Sequence, residues 1–142
     1  MAQFAKILRT EKTMLVPKHL DPATLGFQAL RMTVNREIPE LVSGLSLAAR
    51  VLKKSGGVLV FVSYHSIEDR IVKKFIQLSS SQKDKETPCL EKGEDFVRPD
   101  ESEVASNPRA SSATLRYAFR NDLPFVRDVT EQLTALALKR KM

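Results

Sequence analysis

The chain has a single cysteine, Cys89, and so cannot form an internal disulfide. That thiol sits in a polar stretch with no second cysteine and no histidine close in sequence, which argues for neither a disulfide framework nor a metal site. There is no run of eighteen apolar residues, so no transmembrane helix is indicated. Glycine is also scarce, at five in 142 residues. A cradle for a nucleotide-bearing cofactor needs a strand, then a glycine turn, then a helix N-terminus, because backbone N–H groups must approach the ligand closely. Gly56-Gly57 has the reverse order, a helix end ahead of a strand. No cofactor-binding residue is therefore assigned.

The length fits one modest domain. The formal charge of +6 is unevenly spread. Residues 79–107 hold eight acids against four bases, and the remainder nineteen bases against nine acids. A body that basic suits a polyanion such as RNA, or is simply a solvated basic surface. Residues 1–20 read as a basic N-terminal arm, with a weak likeness to an organellar targeting segment.

Asp21-Pro22 opens a helix, as an Asx cap followed by proline at the first helical position. Phe27, Leu30, Val34, Ile38, Leu41, Leu45, Ala48 and Leu52 then recur at helical spacing. Pro39 predicts a kink, or a stop and restart with Pro39 in the first turn of the second half. Ser55-Gly56-Gly57 ends the helix. Val58–Val62 is apolar at every residue, which predicts a strand covered on both faces inside a parallel or mixed sheet. Ser66 and Asp69 have the spacing of a capping box for a helix burying Ile67, Ile71, Phe75 and Leu78. Residues 21–78 thus form a helix-strand-helix body.

Residues 79–107 read as an acidic flexible loop. Residues 108–142 hold a late strand and a C-terminal helix. In the strand, Ser112–Arg120, Leu115, Tyr117 and Phe119 alternate with Thr114, Arg116 and Arg120, which predicts one polar face. The helix spans Phe125–Lys141 and ends on Lys139-Arg140-Lys141. One obvious partner strand leaves the sheet incomplete, so the open edge calls for cover by the chain's own N-terminus or by another protein.

The turn Ser63–Arg70 concentrates polar groups at the carboxyl end of the buried strand, where open α/β sheets keep their chemistry. His65 can contact a base edge or phosphate, or anchor the loop. Neither Ser63 nor Ser66 has the flanking glycines of a nucleophile elbow, which excludes a serine hydrolase of that kind. Gln28, Arg31 and Asn35 share one helical face, and Arg109, Arg116 and Arg120 make a candidate basic strip.

Three segments in order carry a resemblance: DPATLGFQALRMTVNREIPEL (Asp21–Leu41), GGVLVFVSYHSIEDRIVKKF (Gly56–Phe75) and NPRASSATLRYAFR (Asn107–Arg120). They resemble the C-terminal part of the small-subunit rRNA cytosine N(4)-methyltransferases of MraW type, most closely the eukaryotic methyltransferase-like protein 15 branch. Asp21, Leu25, Gly26, Tyr64 and Ser111 depart from the family's wording. The resemblance implies an α/β fold, the C-terminal half of a Rossmann-like class I methyltransferase, with an incomplete sheet and flanking helices. It implies methyl transfer from S-adenosylmethionine to a cytidine of small-subunit ribosomal RNA, with no metal. It implies a mitochondrial location if the chain is like the eukaryotic branch, and a cytoplasmic one otherwise. On that template His65, Glu68 and Arg70 line the substrate side, and Arg31, Arg109 and Arg116 lie nearest the RNA. The family's donor loop precedes these motifs, so the expectation is a chain inactive by itself. The alternative is a basic RNA- or protein-binding fragment without catalysis.

Overall fold

A computed structural model describes residues 2–12, 21–80, 89–125 and 129–138. The chain divides into two compact units, residues 1–38 and 39–142. The first holds α1 (Ala2–Lys12) and α2 (Pro22–Val34). Asp21 caps α2 by accepting from the Ala23 N–H at 3.0 Å, with Pro22 at the first helical position. The same carboxylate takes both arms of Arg9, at 3.0 and 2.8 Å. Phe4 meets Phe27 edge-on, and Leu8 fills the space a side chain at Gly26 would occupy. Leu30 and Val34 are exposed, so the first part of the long apolar stripe is not core.

α3 (Glu37–Val51) starts at the boundary of the units. Pro39 lies in its first turn, after a break at Asn35-Arg36 in which Arg36 is left-handed (φ 53°). This is the stop and restart the proline requires, since its missing N–H costs nothing there. Ser55 and Gly56, both at positive φ, carry the chain from α3 into β1 (Gly57–Ser63). α4 (Ser66–Ser80), β2 (Leu90–Lys92), α5 (Glu101–Ser106), a 3-10 turn (Pro108–Ser112), β3 (Thr114–Arg120) and α6 (Thr130–Leu138) follow. The acidic stretch is therefore not loop throughout: residues 89–107 contribute β2 and α5. Residues 81–88, and the C-terminal basic triplet at 139–141, lie outside the described residues.

The sheet has the order β1-β3-β2, antiparallel throughout, with Val60 opposite Tyr117 and Lys92 opposite Ala118. β1 is an edge strand among the described residues, not the centre of a parallel sheet. One face packs on the helices: Val42, Leu45 and Ala49 of α3, Ile71, Val72, Phe75 and Ile76 of α4, and Leu133 of α6 are buried together with Leu59, Leu90 and Ala118. The other face keeps Val58, Val60 and Val62 at 43%, 55% and 42% exposure. The expectation of two covered faces therefore holds for one face only.

β3 is turned over relative to its pattern. Arg116 and Arg120 are buried, at 7% and 3% exposure, and Phe119 is exposed. Polar alternation normally marks the wet face, but here each guanidinium finds enough acceptors to enter the core. The Arg120 Nε donates to Ala49 O at 3.2 Å, and its Nη1 lies 2.9, 2.8 and 2.6 Å from the carbonyls of Cys89, Asn121 and Leu123.

Candidate functional site

β1 delivers the chain into the turn Tyr64-His65 and then directly into α4. Ser63, at the last strand position, is buried and donates to Thr114 O at 3.2 Å, which pins the strand end to β3. The turn is closed by a reciprocal pair of hydrogen bonds. His65 Nδ1 accepts the Glu68 N–H at 3.3 Å, and a Glu68 carboxylate oxygen accepts the Tyr64 N–H at 3.1 Å. Each satisfies an N–H that a helix start leaves unpaired. The capping box thus sits one residue earlier than its sequence pattern, on His65 and Glu68 and not on Ser66 and Asp69.

That shift fixes the imidazole. With Nδ1 accepting, the neutral ring carries its proton on Nε2. Nε2 lies 3.2 Å from Glu68 Oε1, yet it is enclosed and its geometry makes no hydrogen bond. Tyr64 is exposed beside it. The turn therefore presents the exposed Tyr64 ring beside a partly buried imidazole and carboxylate, with the Nε2 proton itself enclosed. Arg70, one turn further along α4, is half-buried, with an enclosed Nε that has no hydrogen-bond partner among the described residues.

Asp69, free of capping, pairs with Arg116 at two points, 2.7 and 3.0 Å. Arg116 also donates to the Asp95 carbonyl and lies over the Phe96 ring, 5.5 Å from its centroid. Arg116, expected nearest the RNA, is thus buried and ion-paired within the chain. Arg120, from the same candidate strip, is likewise committed to the interior. Arg109 remains exposed on the 3-10 turn. Arg31 belongs to the N-terminal unit, where it grips Glu37 at 2.8 and 3.1 Å while staying exposed. The structure thus brings His65 and Glu68 together and places Arg70 on the same helix. The Asp69–Arg116 pair joins residues 47 apart in sequence, so no local spacing or periodicity signals it.

The glycines do not make a methyl-donor cradle. Gly26 and Gly44 lie inside helices, Gly56 precedes β1, Gly57 is its first residue, and Gly93 is closed off by the Tyr117 ring. None joins a strand end to a helix start, so these residues do not fit the phosphate-loop type of cradle that a nucleoside-bearing donor such as S-adenosylmethionine takes.

Residues 2–121 match the MraW methylase family. Among curated relatives, ribosomal RNA small subunit methyltransferase H of Cereibacter sphaeroides (strain ATCC 17025 / ATH 2.4.3) is 46% identical over 119 residues, covering 76% of this chain and 36% of the relative. The protein of the same name from Azorhizobium caulinodans is 48% identical over 120 residues, with 76% and 34% covered. That from Zymomonas mobilis is 37% identical over 150 aligned positions, with 98% and 45% covered. The chain thus spans less than half the length of each of these relatives. With residues 2–121 of its 142 matched by the family model, this chain belongs to the MraW methylase family.

Proposed function

We propose that the chain serves methyl transfer from S-adenosylmethionine to the exocyclic N4 of a small-subunit rRNA cytidine, and that it supplies the substrate side of that reaction. The observation that carries this reading is the His65–Glu68 turn. It holds an imidazole and a carboxylate at the carboxyl end of a strand, with Tyr64 exposed alongside. A ring of that kind can stack on a base, and the polar pair can meet a base edge or phosphate. The basic balance of the chain outside its acidic stretch supports a polyanionic substrate. Relatives named as ribosomal RNA small subunit methyltransferases support the substrate class.

The test has two arms. Filter binding of a small-subunit rRNA fragment across a salt series should show affinity falling steeply as salt rises, the mark of phosphate contacts. Calorimetric titration of the chain alone with S-adenosylmethionine should show no binding. A flat salt dependence with no RNA affinity would overturn the substrate-side reading. Micromolar donor affinity would show that the chain carries more of the site than proposed. A binding role without catalysis is the second reading, favoured by the glycine placement described above.

A further inference from the structure

At the carboxyl end of β1 the sheet runs into a hollow of 120 Å³. Its floor is a row of three apolar residues held in register. Val62 of β1 stands opposite Leu115 of β3, and Val97 pairs with Leu115 from the other side through N–H···O bonds of 2.9 Å in each direction. Pro99 and Ala113 add to the apolar lining, and two charged residues, Arg98 and Glu103, complete it. Both are exposed, and among the described residues neither the Glu103 carboxylate nor the Arg98 guanidinium is engaged in a hydrogen bond or ion pair. Arg98 lies instead over the exposed Phe96 ring, 5.6 Å from its centroid, a contact that leaves its N–H donors available. An apolar floor with a few convergent polar groups is the usual make-up of a small-ligand site.

We propose that this hollow receives a single unstacked cytosine base of the RNA, with Glu103 accepting from the exocyclic N4 amine and Arg98 donating to the N3 and O2 side. The proposal rests on the reading above of a cytidine substrate, and it adds the residues that select the base. Size is the first argument. An apolar cavity of about 150 Å³ takes one benzene ring. A hollow of 120 Å³ therefore suits the one ring of a pyrimidine and not the two of a purine. Polarity decides between the pyrimidines. Cytosine presents a donor at N4 beside acceptors at N3 and O2, which matches a carboxylate beside a guanidinium. Uracil presents an acceptor at O4, which a carboxylate repels. Place is the third argument: Tyr64 follows Val62 by two residues and is exposed, so a ring for stacking lies at the same strand end. Proteins that act on a base take it out of the stack and read its pairing edge in a pocket of this kind. An apolar side chain of a protein partner would fill the floor but has no use for the two charges.

The test uses the full 142-residue chain and a short oligouridine RNA carrying one central cytidine, against the same RNA with uridine throughout, at one fixed salt concentration. The cytidine RNA should bind about tenfold more tightly, the discrimination of one good edge contact. Methyl resonances of Val62, Val97 and Leu115 should move with the cytidine RNA and stay in place with the uridine one. Glu103→Ala should bring the two affinities within about twofold of each other while oligouridine binding is kept or strengthened, since a negative charge leaves the RNA side. Ala113→Leu, which fills the hollow, should erase the preference by a steric route. Far-UV spectra and thermal melts report whether each variant folds. Glu103 is exposed and its carboxylate holds nothing in place, so that variant decides the matter even if Ala113→Leu does not fold. Equal affinity of the unaltered chain for the two RNAs, or a cytidine preference that survives Glu103→Ala, would overturn the proposal and leave the substrate-side reading standing. Methyl resonances unmoved by either RNA would overturn it too, and would leave the hollow to a protein side chain. Absence of all RNA binding by the unaltered chain would remove that reading and the base pocket with it.

Discussion

Asp69 on α4 and Arg116 on β3 form a two-point ion pair, at 2.7 and 3.0 Å, between a helix and the central strand of the sheet. The arginine is the buried member. Breaking such a pair from one side leaves a charge in the interior without a counterion. Asp69→Asn should therefore cost about 3 kcal/mol, read as a lowered urea midpoint. Replacing both partners, as Asp69→Leu with Arg116→Met, should recover most of that loss. Additive single and double losses would show that the two side chains act independently.

The His65–Glu68 box gives a way to separate anchoring from recognition. Asparagine is a strong helix cap, so His65→Asn should keep the melting temperature within a degree or two. It removes the aromatic ring from the proposed substrate side, and RNA affinity should fall roughly fivefold to tenfold, about the lower end of one base-stacking contact. Unchanged affinity with an intact fold would assign the imidazole to the turn alone.

Gly93 sits under the Tyr117 ring, and its N–H donates to the Tyr117 carbonyl at 3.2 Å, which prevents the two from drawing apart. A Cβ at this position would overlap a stiff ring, so Gly93→Ala should destabilise the chain by about 1–3 kcal/mol. Tyr117→Leu in the same chain should relieve most of it. Thermal melts of the single and double variants provide the comparison.

Cys89 is buried, and burial pushes its thiol pKa upward, with the nearby Arg120 charge partly opposing. A thiol raised in the folded state binds its proton more tightly there than in the unfolded chain. Its contribution to stability is present below the unfolded thiol pKa and is lost as pH rises through the folded one. Alkylation of the native chain at pH 8 should accordingly lag far behind that of the urea-unfolded chain. Equal rates would show an accessible thiolate.

Much of this architecture is legible in the sequence. The Asp21-Pro22 start, the break at Pro39, β1 and β3 all follow from local chemistry that tertiary contacts then respect. Three features are not. β2 is a three-residue strand with one buried residue, Leu90, and its position is imposed by pairing with β3. The capping box is displaced because histidine, a weaker cap by propensity, outcompetes Ser66 once Asp69 is drawn to Arg116. The burial of Arg116 and Arg120 inverts β3 because charge in a strand reads as solvent-facing until its acceptors, distant in sequence, are in place. The site is half visible for the same reason: His65 and Glu68 lie within one turn, whereas the fate of the arginines is decided elsewhere.

The Arg120 guanidinium reaches backward 71 residues to Ala49 and 31 to Cys89, and forward to Leu123. A bare cation cannot enter an apolar interior before its oxygen partners have gathered, so this clasp shuts only after the long loops around it have closed. Interactions made after the rate-limiting barrier govern escape from the native state more than arrival at it. Arg120 accordingly acts as the chain's latch: trimming it should quicken unfolding in stopped-flow experiments and leave the refolding rate close to its original value.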